Sequence, residues 1–228
     1  MIMSCIKKLY FWAFILVMPW CFAQHNFETF GETGLVFNKK FSNSFKMNYA
    51  LRTRYFLYKE QDFFLENRQI DLVTFSTFNL NYNKSLSLGV QYRFRENFDG
   101  ASNELRLTQQ YNFIKKNLFW RFGHRFRLEQ RIFTNNAIFR QRYRFTVDRP
   151  LNGEQLDVGE AYIILSMEGL LSLTTLSAPE IDHRTTTQLG FQLTERTKIQ
   201  LGFEYRFEKF NINTEEKLFI LTGLIYKL

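Results

Sequence analysis

Residues 86–95 read LSLGVQYRFR, and this stretch decides the fold because its side-chain character alternates at every position. Leucine, valine, tyrosine and phenylalanine occupy the even-numbered positions, while serine, glycine, glutamine and arginine occupy the odd ones. Successive side chains of a β-strand point to opposite faces, so a period of two predicts a strand with one apolar and one polar face. A helix would need apolar residues three and four positions apart, which this stretch does not supply.

The same pattern recurs along the chain. Residues 199–208 read IQLGFEYRFE and repeat the order L-G-x-x-Y-R-F. Further clear alternation covers residues 45–54, 104–113, 120–131 and 139–147, and weaker versions cover 27–37, 68–82, 158–168, 184–193 and 217–228. We count about eleven segments, each of roughly the 9–11 residues with which a tilted strand crosses a bilayer.

The connecting segments alternate in length. Short turns rich in Lys and Asn are predicted at 38–40, 83–84, 115–117 and 195–197, and longer links around 57–67, 97–103, 133–137, 169–183 and 209–216. Such alternation predicts a single up-and-down meander of antiparallel strands. Because single-chain bacterial barrels have an even number of strands, we expect ten or twelve and favour twelve, with a further strand hidden in 169–183.

The N-terminus has the order of features that marks a secretory signal. Lys7 and Lys8 precede an apolar run over 9–18, and Cys21-Phe22-Ala23 offers a small residue at a cleavage site. We therefore predict a signal peptide over 1–23 and a barrel domain over 24–228. Both cysteines of the chain lie in the removed part, so the mature protein has no thiol for a disulfide or a metal.

Three architectures fit a period of two: a soluble sandwich, a barrel with its apolar face inward around a ligand, and a membrane barrel with its apolar face outward. An aromatic content of 18%, concentrated towards strand ends, is typical of the aromatic girdles of membrane barrels. Together with the export signal, it favours an all-β, transmembrane antiparallel β-barrel in the outer membrane of a Gram-negative cell. Its expected partners are outer-membrane lipid and, during assembly, the barrel-insertion machinery.

The polar face then lines the lumen, and it is rich in arginine. The predicted lumen-facing arginines are Arg93, Arg95, Arg121, Arg125, Arg127, Arg140, Arg142, Arg144 and Arg206. Two interpretations follow. Either arginine and glutamate pair across strands and fill a structural barrel that presents its outer loops, or rings of arginine line a narrow pore or binding channel for anions. The size of a ten- to twelve-stranded barrel favours the filled interior.

Other functions find little support. The net charge of +8 is spread along the chain without a basic cluster, which argues against nucleic-acid binding. No ligand cluster for a metal and no phosphate-binding loop is present in the sequence, so we predict neither a metal nor a cofactor. His124 and His183 have no neighbouring serine in a nucleophile arrangement, so we predict no catalytic residue and no enzyme; a lipid-modifying enzyme stays as an alternative.

Several of these motifs together resemble a known family. They are FGETGL at 30–35, NKSLSLGVQYRF at 83–94, RQRYRF at 140–145, and the late QLGF and LGFEYRF strands. This pattern resembles a domain-of-unknown-function family of small outer-membrane barrels. The resemblance implies an outer-membrane location and carries no catalytic residue, because the family has no established activity.

Overall fold

The computed structural model describes residues 27–59 and 62–228, and these residues form one closed β-barrel. The signal peptide predicted over 1–23 lies outside the described residues. Within the described ranges, no helix has the length and apolar character needed to cross a bilayer. The strands are β1 Glu28–Lys40, β2 Phe45–Lys59, β3 Asp62–Asn79, β4 Lys84–Phe94, β5 Glu104–Asn117, β6 Trp120–Ile132, β7 Ala137–Pro150, β8 Ala161–Leu173, β9 Glu180–Gln192, β10 Thr197–Glu208 and β11 Glu215–Lys227.

Each strand pairs antiparallel with the next along the chain, so the connections lie alternately at two ends of the barrel. We call one end the loop end; it holds the start of β1 and the segments 95–103, 133–136, 174–179 and 209–214. The other is the turn end; it holds the finish of β11 and the segments 41–44, 80–83, 118–119, 151–160 and 193–196. The predicted meander is therefore correct.

The preference for twelve strands was wrong, because the barrel closes with eleven. With an odd number, the first and last strands run in the same direction, and β1 pairs with β11 in parallel. Thr33 lies opposite Thr222, and Gly34 lies opposite Gly223. Our preference for an even number assumed that every neighbouring pair is antiparallel, which the parallel closing pair makes unnecessary.

The lengths of two links were also misjudged. No extra strand lies in 169–183, because β8 continues to Leu173 and β9 begins at Glu180. The link placed at 57–67 is mostly strand, since β2 continues to Lys59 and β3 begins at Asp62. Polar and aromatic residues without clean alternation hid these strand extensions.

The alternation itself is confirmed. In β4, Leu86, Leu88 and Val90 are exposed on the outside, while Ser87 and Gln91 are buried on the inside. In β10, Phe203 is 58% exposed whereas Arg206 is 6% exposed. The apolar face therefore points outward and the charged face inward, which excludes both the sandwich and the barrel with an apolar interior.

Steric crowding explains why glycine follows leucine in the two L-G-x-x-Y-R-F segments, at Gly89 and Gly202. A Cβ built on Gly89 would lie 2.3 Å from the ring of Phe75, which points into the barrel from β3. A Cβ on Gly202 would lie 2.4 Å from the carbonyl oxygen of Thr187 on β9. Both distances are shorter than carbon contacts allow, so only glycine fits at these inward positions.

The parallel seam between β1 and β11 carries the aromatic part of the interior. Phe30 of β1 and Phe219 of β11 are buried with ring centroids 4.9 Å apart, and Phe56 of β2 lies 5.1 Å from Phe30. The guanidinium of Arg206 lies 3.6 Å from the Phe219 ring centroid, and that of Arg68 lies 4.9 Å from the Phe30 centroid. These cation–π contacts join the seam to the charged interior.

The parallel closure is tested by cross-linking. In a chain carrying Cys5→Ser and Cys21→Ser, we expect Thr33→Cys and Thr222→Cys to form a disulfide on mild oxidation. The two hydroxyl oxygens lie 2.7 Å apart on directly opposed residues, a geometry that a disulfide spans. Peptide mapping by mass spectrometry measures the cross-link.

The control pairs Thr33→Cys with Leu224→Cys, which lies two residues further along the same outer face of β11. It should cross-link far less. Equal cross-linking of both pairs, or none of either, would contradict this register.

Candidate functional site: an ionic belt and two vestibules

A chain of ion pairs runs along the inner wall of the barrel from β3 to β8, and it begins between β3 and β4. Arg93 binds the Asp71 carboxylate with two nitrogens, Nε at 2.7 Å and Nη2 at 2.8 Å. The amides of Gln69 and Gln91 also donate to Asp71, at 3.0–3.2 Å. The two-nitrogen geometry, held by neutral amides, fixes the arginine in one orientation.

Glu104 continues the chain on β5. It accepts hydrogen bonds from both Nε and Nη2 of Arg131, at 2.8 and 2.9 Å, and a second cation, Arg106, lies at 2.7 Å. Arg93 lies 3.5 Å away and links Glu104 to Asp71. Glu104 is 1% exposed, so its charge is balanced by these guanidinium groups rather than by water.

Glu129 on β6 is the centre of the chain and is fully buried. Arg142 donates to its Oε1 at 2.9 Å, and Arg127 and Arg106 lie at 3.4 and 3.7 Å. Arg142 also reaches Glu168 on β8 at 2.6 Å. We call the connected set the ionic belt; its members are Asp71, Arg93, Glu104, Arg106, Arg127, Glu129, Arg131, Arg142, Arg144 and Glu168.

A second group of charges occupies the wall formed by β9, β10 and β11. Arg206 pairs with Glu204 at 2.5 Å and lies 3.7 Å from Glu208, and Lys217 pairs with Glu208 at 2.8 Å. On the far side of the seam, Arg54 of β2 pairs with Glu32 of β1 at 2.6 Å. Charges of both signs thus face each other on every side of the interior.

Two cavities lie inside the barrel. The loop-end vestibule has a volume of 160 Å³ and its wall includes Arg106 and Arg142. The turn-end vestibule has a volume of 430 Å³ and its wall includes Arg127. The two share no lining residue. Glu129 lines neither, yet it contacts arginines of both, so it lies between them.

The nine arginines predicted to face the lumen divide between these places. Those that line the loop-end vestibule are Arg93, Arg95, Arg140, Arg142 and Arg206. Those that line the turn-end vestibule are Arg121, Arg125 and Arg127. Arg144 pairs with Glu168 at 3.1 Å. Eight of them therefore form two groups, one at each vestibule, with Glu129 between the groups, rather than one uninterrupted row.

Arg95 differs from the prediction in one respect. We placed it inside a strand, but β4 ends at Phe94 and Arg95 belongs to the loop 95–103. There it binds Asp99 together with Arg68, whose Nε lies 3.2 Å from the same carboxylate. Arg95 is therefore a residue of the loop-end rim.

Several interior charges were not singled out from the sequence. Arg106, Arg131 and Arg184 lie on the same alternating faces as the arginines that were. Among the acids, Glu104 binds Arg106 and Arg131, Glu129 binds Arg142, and Asp71 binds Arg93. Alternation alone finds most of them. Asp71 is the exception, because inward Val73 and Phe75 on β3 break the polar pattern around it.

The two histidines considered as catalytic candidates lie on the outer face of different strands. His124 Nδ1 lies 2.8 Å from the hydroxyl of Tyr143, and its ring stacks on Phe113. His183 belongs to β9 rather than to a polar link, and its Nε2 lies 3.1 Å from Thr185 Oγ1. Among the described residues, no cluster of three or more His, Cys, Asp or Glu has the arrangement of a metal site.

Asp99 holds the loop 95–103 at the rim. Partial burial raises the pKa of its carboxyl. Hydrogen bonds from Arg95, from the Ala101 amide and from Arg68 lower the pKa by more than burial raises it, so the pKa lies below the usual 3.8. The carboxylate therefore stays ionised at neutral pH and anchors Arg95 of its own loop and Arg68 of β3.

Comparison with known proteins identifies the family. The model of the family described as "Protein of unknown function (DUF2490)" matches residues 33–217. The chain belongs to this DUF2490 family. The match takes in β2 through β10 completely, so it covers most of the DUF2490 barrel, including every member of the ionic belt.

No curated protein matches this DUF2490 chain. Among solved structures, it has similarity to the crystal structure of the siderophore receptor PirA from Pseudomonas aeruginosa, with a TM-score of 0.29 and 10% sequence identity. The alignment covers 73% of this chain and 31% of the receptor chain. This chain therefore spans about a third of that receptor.

The central role of Glu129 gives a stability prediction. We expect Glu129→Gln to lower the free energy of unfolding by about 3–5 kcal/mol, because it leaves the buried Arg142 guanidinium with one carboxylate where it had two. Urea unfolding in detergent micelles measures the change. The control is Glu195→Gln in the exposed turn 193–196, which should change stability by less than about 0.5 kcal/mol. Similar values for the two variants would show that the belt contributes little.

Asp99 gives a pH prediction. A carboxyl whose pKa is lower in the folded than in the unfolded protein stabilises the fold above the unfolded pKa, and this contribution disappears as the pH falls through the folded pKa. We therefore expect Asp99→Asn to destabilise the protein at pH 7 and to match the wild type at a pH below the folded pKa. Unfolding curves of both proteins from pH 7 downward measure the difference, and a difference independent of pH would contradict the assignment.

Proposed function

We propose that the chain is an outer-membrane barrel whose interior is closed by the ionic belt and which serves as a structural barrel presenting its loop end. The observation that carries the location is the outward apolar face. Leu88, Leu107 and Met167, on three different strands, are exposed on the outside, although the charged groups of the same strands are buried. Water does not favour such an arrangement, whereas a hydrocarbon environment does.

Aromatic residues at both ends of the outer face support this location. At the loop end, Tyr92 contacts Phe94, with ring centroids 4.7 Å apart. At the turn end, Phe45 contacts Phe78 at 5.0 Å. Two aromatic zones separated by aliphatic side chains match the girdles that lie at the two interfaces of a membrane.

The belt supports a closed interior. Glu129 is fully buried between the two vestibules and binds arginines of both, so a solute moving between them would have to separate buried ion pairs. Breaking such pairs without replacing them costs several kcal/mol. We therefore assign the barrel no continuous path.

The loop end offers surface for presentation. β2 and β3 are longer than the other strands of the barrel. Their loop-end extension carries Phe63, Phe64 and Leu65, and Phe63 is 91% exposed. Exposed apolar residues at a hairpin of this kind are suited to contact with another molecule.

A pore for anions is the second candidate, because one observation favours it. Ten arginines and two lysines line the loop-end vestibule together with three acids, Glu180, Asp182 and Glu208. Positive walls attract anions, and a belt that opens from time to time would let them pass.

Planar-bilayer recording separates the two functions. Wild-type protein purified from the outer-membrane fraction should give no stepwise current, whereas the double variant Glu129→Ala/Arg142→Ala, which removes the central pair of the belt, should give one. Each protein must first show the heat-modifiable gel mobility of a folded barrel. Anion-selective current from the wild type would favour the pore, and recovery of the protein only from soluble fractions would overturn the location.

A further inference from the structure

The turn-end vestibule has an excess of positive charge that the protein itself does not neutralise. Five cationic side chains line it: Lys46, Arg52, Arg121, Arg125 and Arg127. The lining contains one carboxylate, that of Asp148, which already binds Arg121 through Nε at 2.8 and 3.0 Å. The loop-end vestibule differs in degree. Belt carboxylates behind its wall bind several of its arginines, whereas at the turn end the belt carboxylate Glu129 lies 3.4 Å from Arg127 alone.

Among the described residues, three of these five cations have no carboxylate partner, namely Lys46, Arg52 and Arg125, and the last two are arginines. Arg125 donates one hydrogen bond, from Nε to Asn112 Oδ1 at 3.1 Å, which leaves both of its Nη nitrogens without an acceptor in residues 27–59 and 62–228. Arg52 makes neither a hydrogen bond nor an ion pair with that part of the chain, and its side chain is exposed to the vestibule. Both guanidinium groups therefore have free donors.

Neutral side chains hold the arginine wall in place. Arg127 donates to Gln110 Oε1 from Nε at 2.9 Å and from Nη2 at 2.5 Å, and Gln110 donates to Asn112 at 3.1 Å. Asn112 in turn donates to Ser85 Oγ at 3.2 Å. Amides orient a guanidinium without cancelling its charge, so this ladder fixes Arg125 and Arg127 while keeping them positive.

Oriented guanidinium groups with free donors are the usual means by which proteins bind phosphate and sulfate. The volume of 430 Å³ exceeds what a single tetrahedral anion needs. Hydroxyl and amide groups supply much of the remaining wall, beside Phe75, Ile114, Gly123 and His124. The hydroxyl and amide groups are those of Asn48, Thr77, Ser85, Ser87, Gln110, Asn112 and Thr146. Such a wall suits the hydroxyl groups of a sugar.

We propose that the turn-end vestibule binds a small phosphorylated sugar, with Arg52 and Arg125 on the phosphate and the hydroxyl and amide wall on the sugar. This site goes beyond the structural role proposed above. It does not depend on a closed belt, because the vestibule opens at the turn end whether or not the two cavities connect.

Isothermal titration of the purified full chain in detergent with glucose 6-phosphate tests the site. We expect binding to the wild type, weaker binding of inorganic phosphate and none of glucose. Arg125→Gln and Arg52→Gln should each raise Kd by at least about tenfold, which corresponds to about 1.4 kcal/mol. The matched control is Arg140→Gln, an arginine of the loop-end vestibule, which should bind as the wild type does.

Each variant must first show the gel mobility of a folded barrel. If Arg125→Gln does not fold, Arg52→Gln at its exposed position still tests the proposal. Absence of binding by the wild type would overturn it. So would unchanged affinity in Arg52→Gln, or a loss that appears in Arg140→Gln instead. Inorganic phosphate that binds as tightly as glucose 6-phosphate would remove the sugar from the proposal.

Discussion

The structure depends on the pairing of buried guanidinium groups with carboxylates on neighbouring strands. Alternation sends one side chain in two into the barrel, and here many of those side chains are charged. An unpaired charge buried away from the two vestibules would be severely unfavourable. Glu104, Glu129 and Glu168 each meet at least two arginines, so the charges of neighbouring strands stabilise one another around half of the barrel.

Closure with eleven strands is the second constraint. A parallel pair cannot be joined by a tight turn, and β1 and β11 are the two strands that need no connection. The seam between them is filled by Phe30 and Phe219 rather than by ion pairs, and Arg206 lies on the Phe219 ring. At the seam, aromatic side chains therefore line the interior in place of ion pairs.

Much of the fold was predictable, because the alternation in 86–95 and 199–208 depends only on the period of a strand. The strand number was not, since the sequence contains no feature that specifies a parallel closing pair. The inward direction of Arg93 and Arg206 followed from alternation. The partner of Arg93, Asp71 on the neighbouring strand, did not, because register between strands decides which side chains meet. Glu204 lies two residues before Arg206 on the same face of β10, so that pair follows from alternation. The division of the interior by Glu129 also required the structure, since it arises from three arginines on three strands.

The most direct test of the account is the environment of single positions on one strand. A nitroxide label is attached at Leu88 or at Gln91 of β4, and the protein is reconstituted into lipid. Electron paramagnetic resonance then measures whether lipid-soluble oxygen or a water-soluble nickel complex reaches the label. We expect high oxygen accessibility at Leu88 and low accessibility at Gln91, because these side chains lie on opposite faces. Oxygen accessibility that is high at Gln91 and low at Leu88 would contradict it.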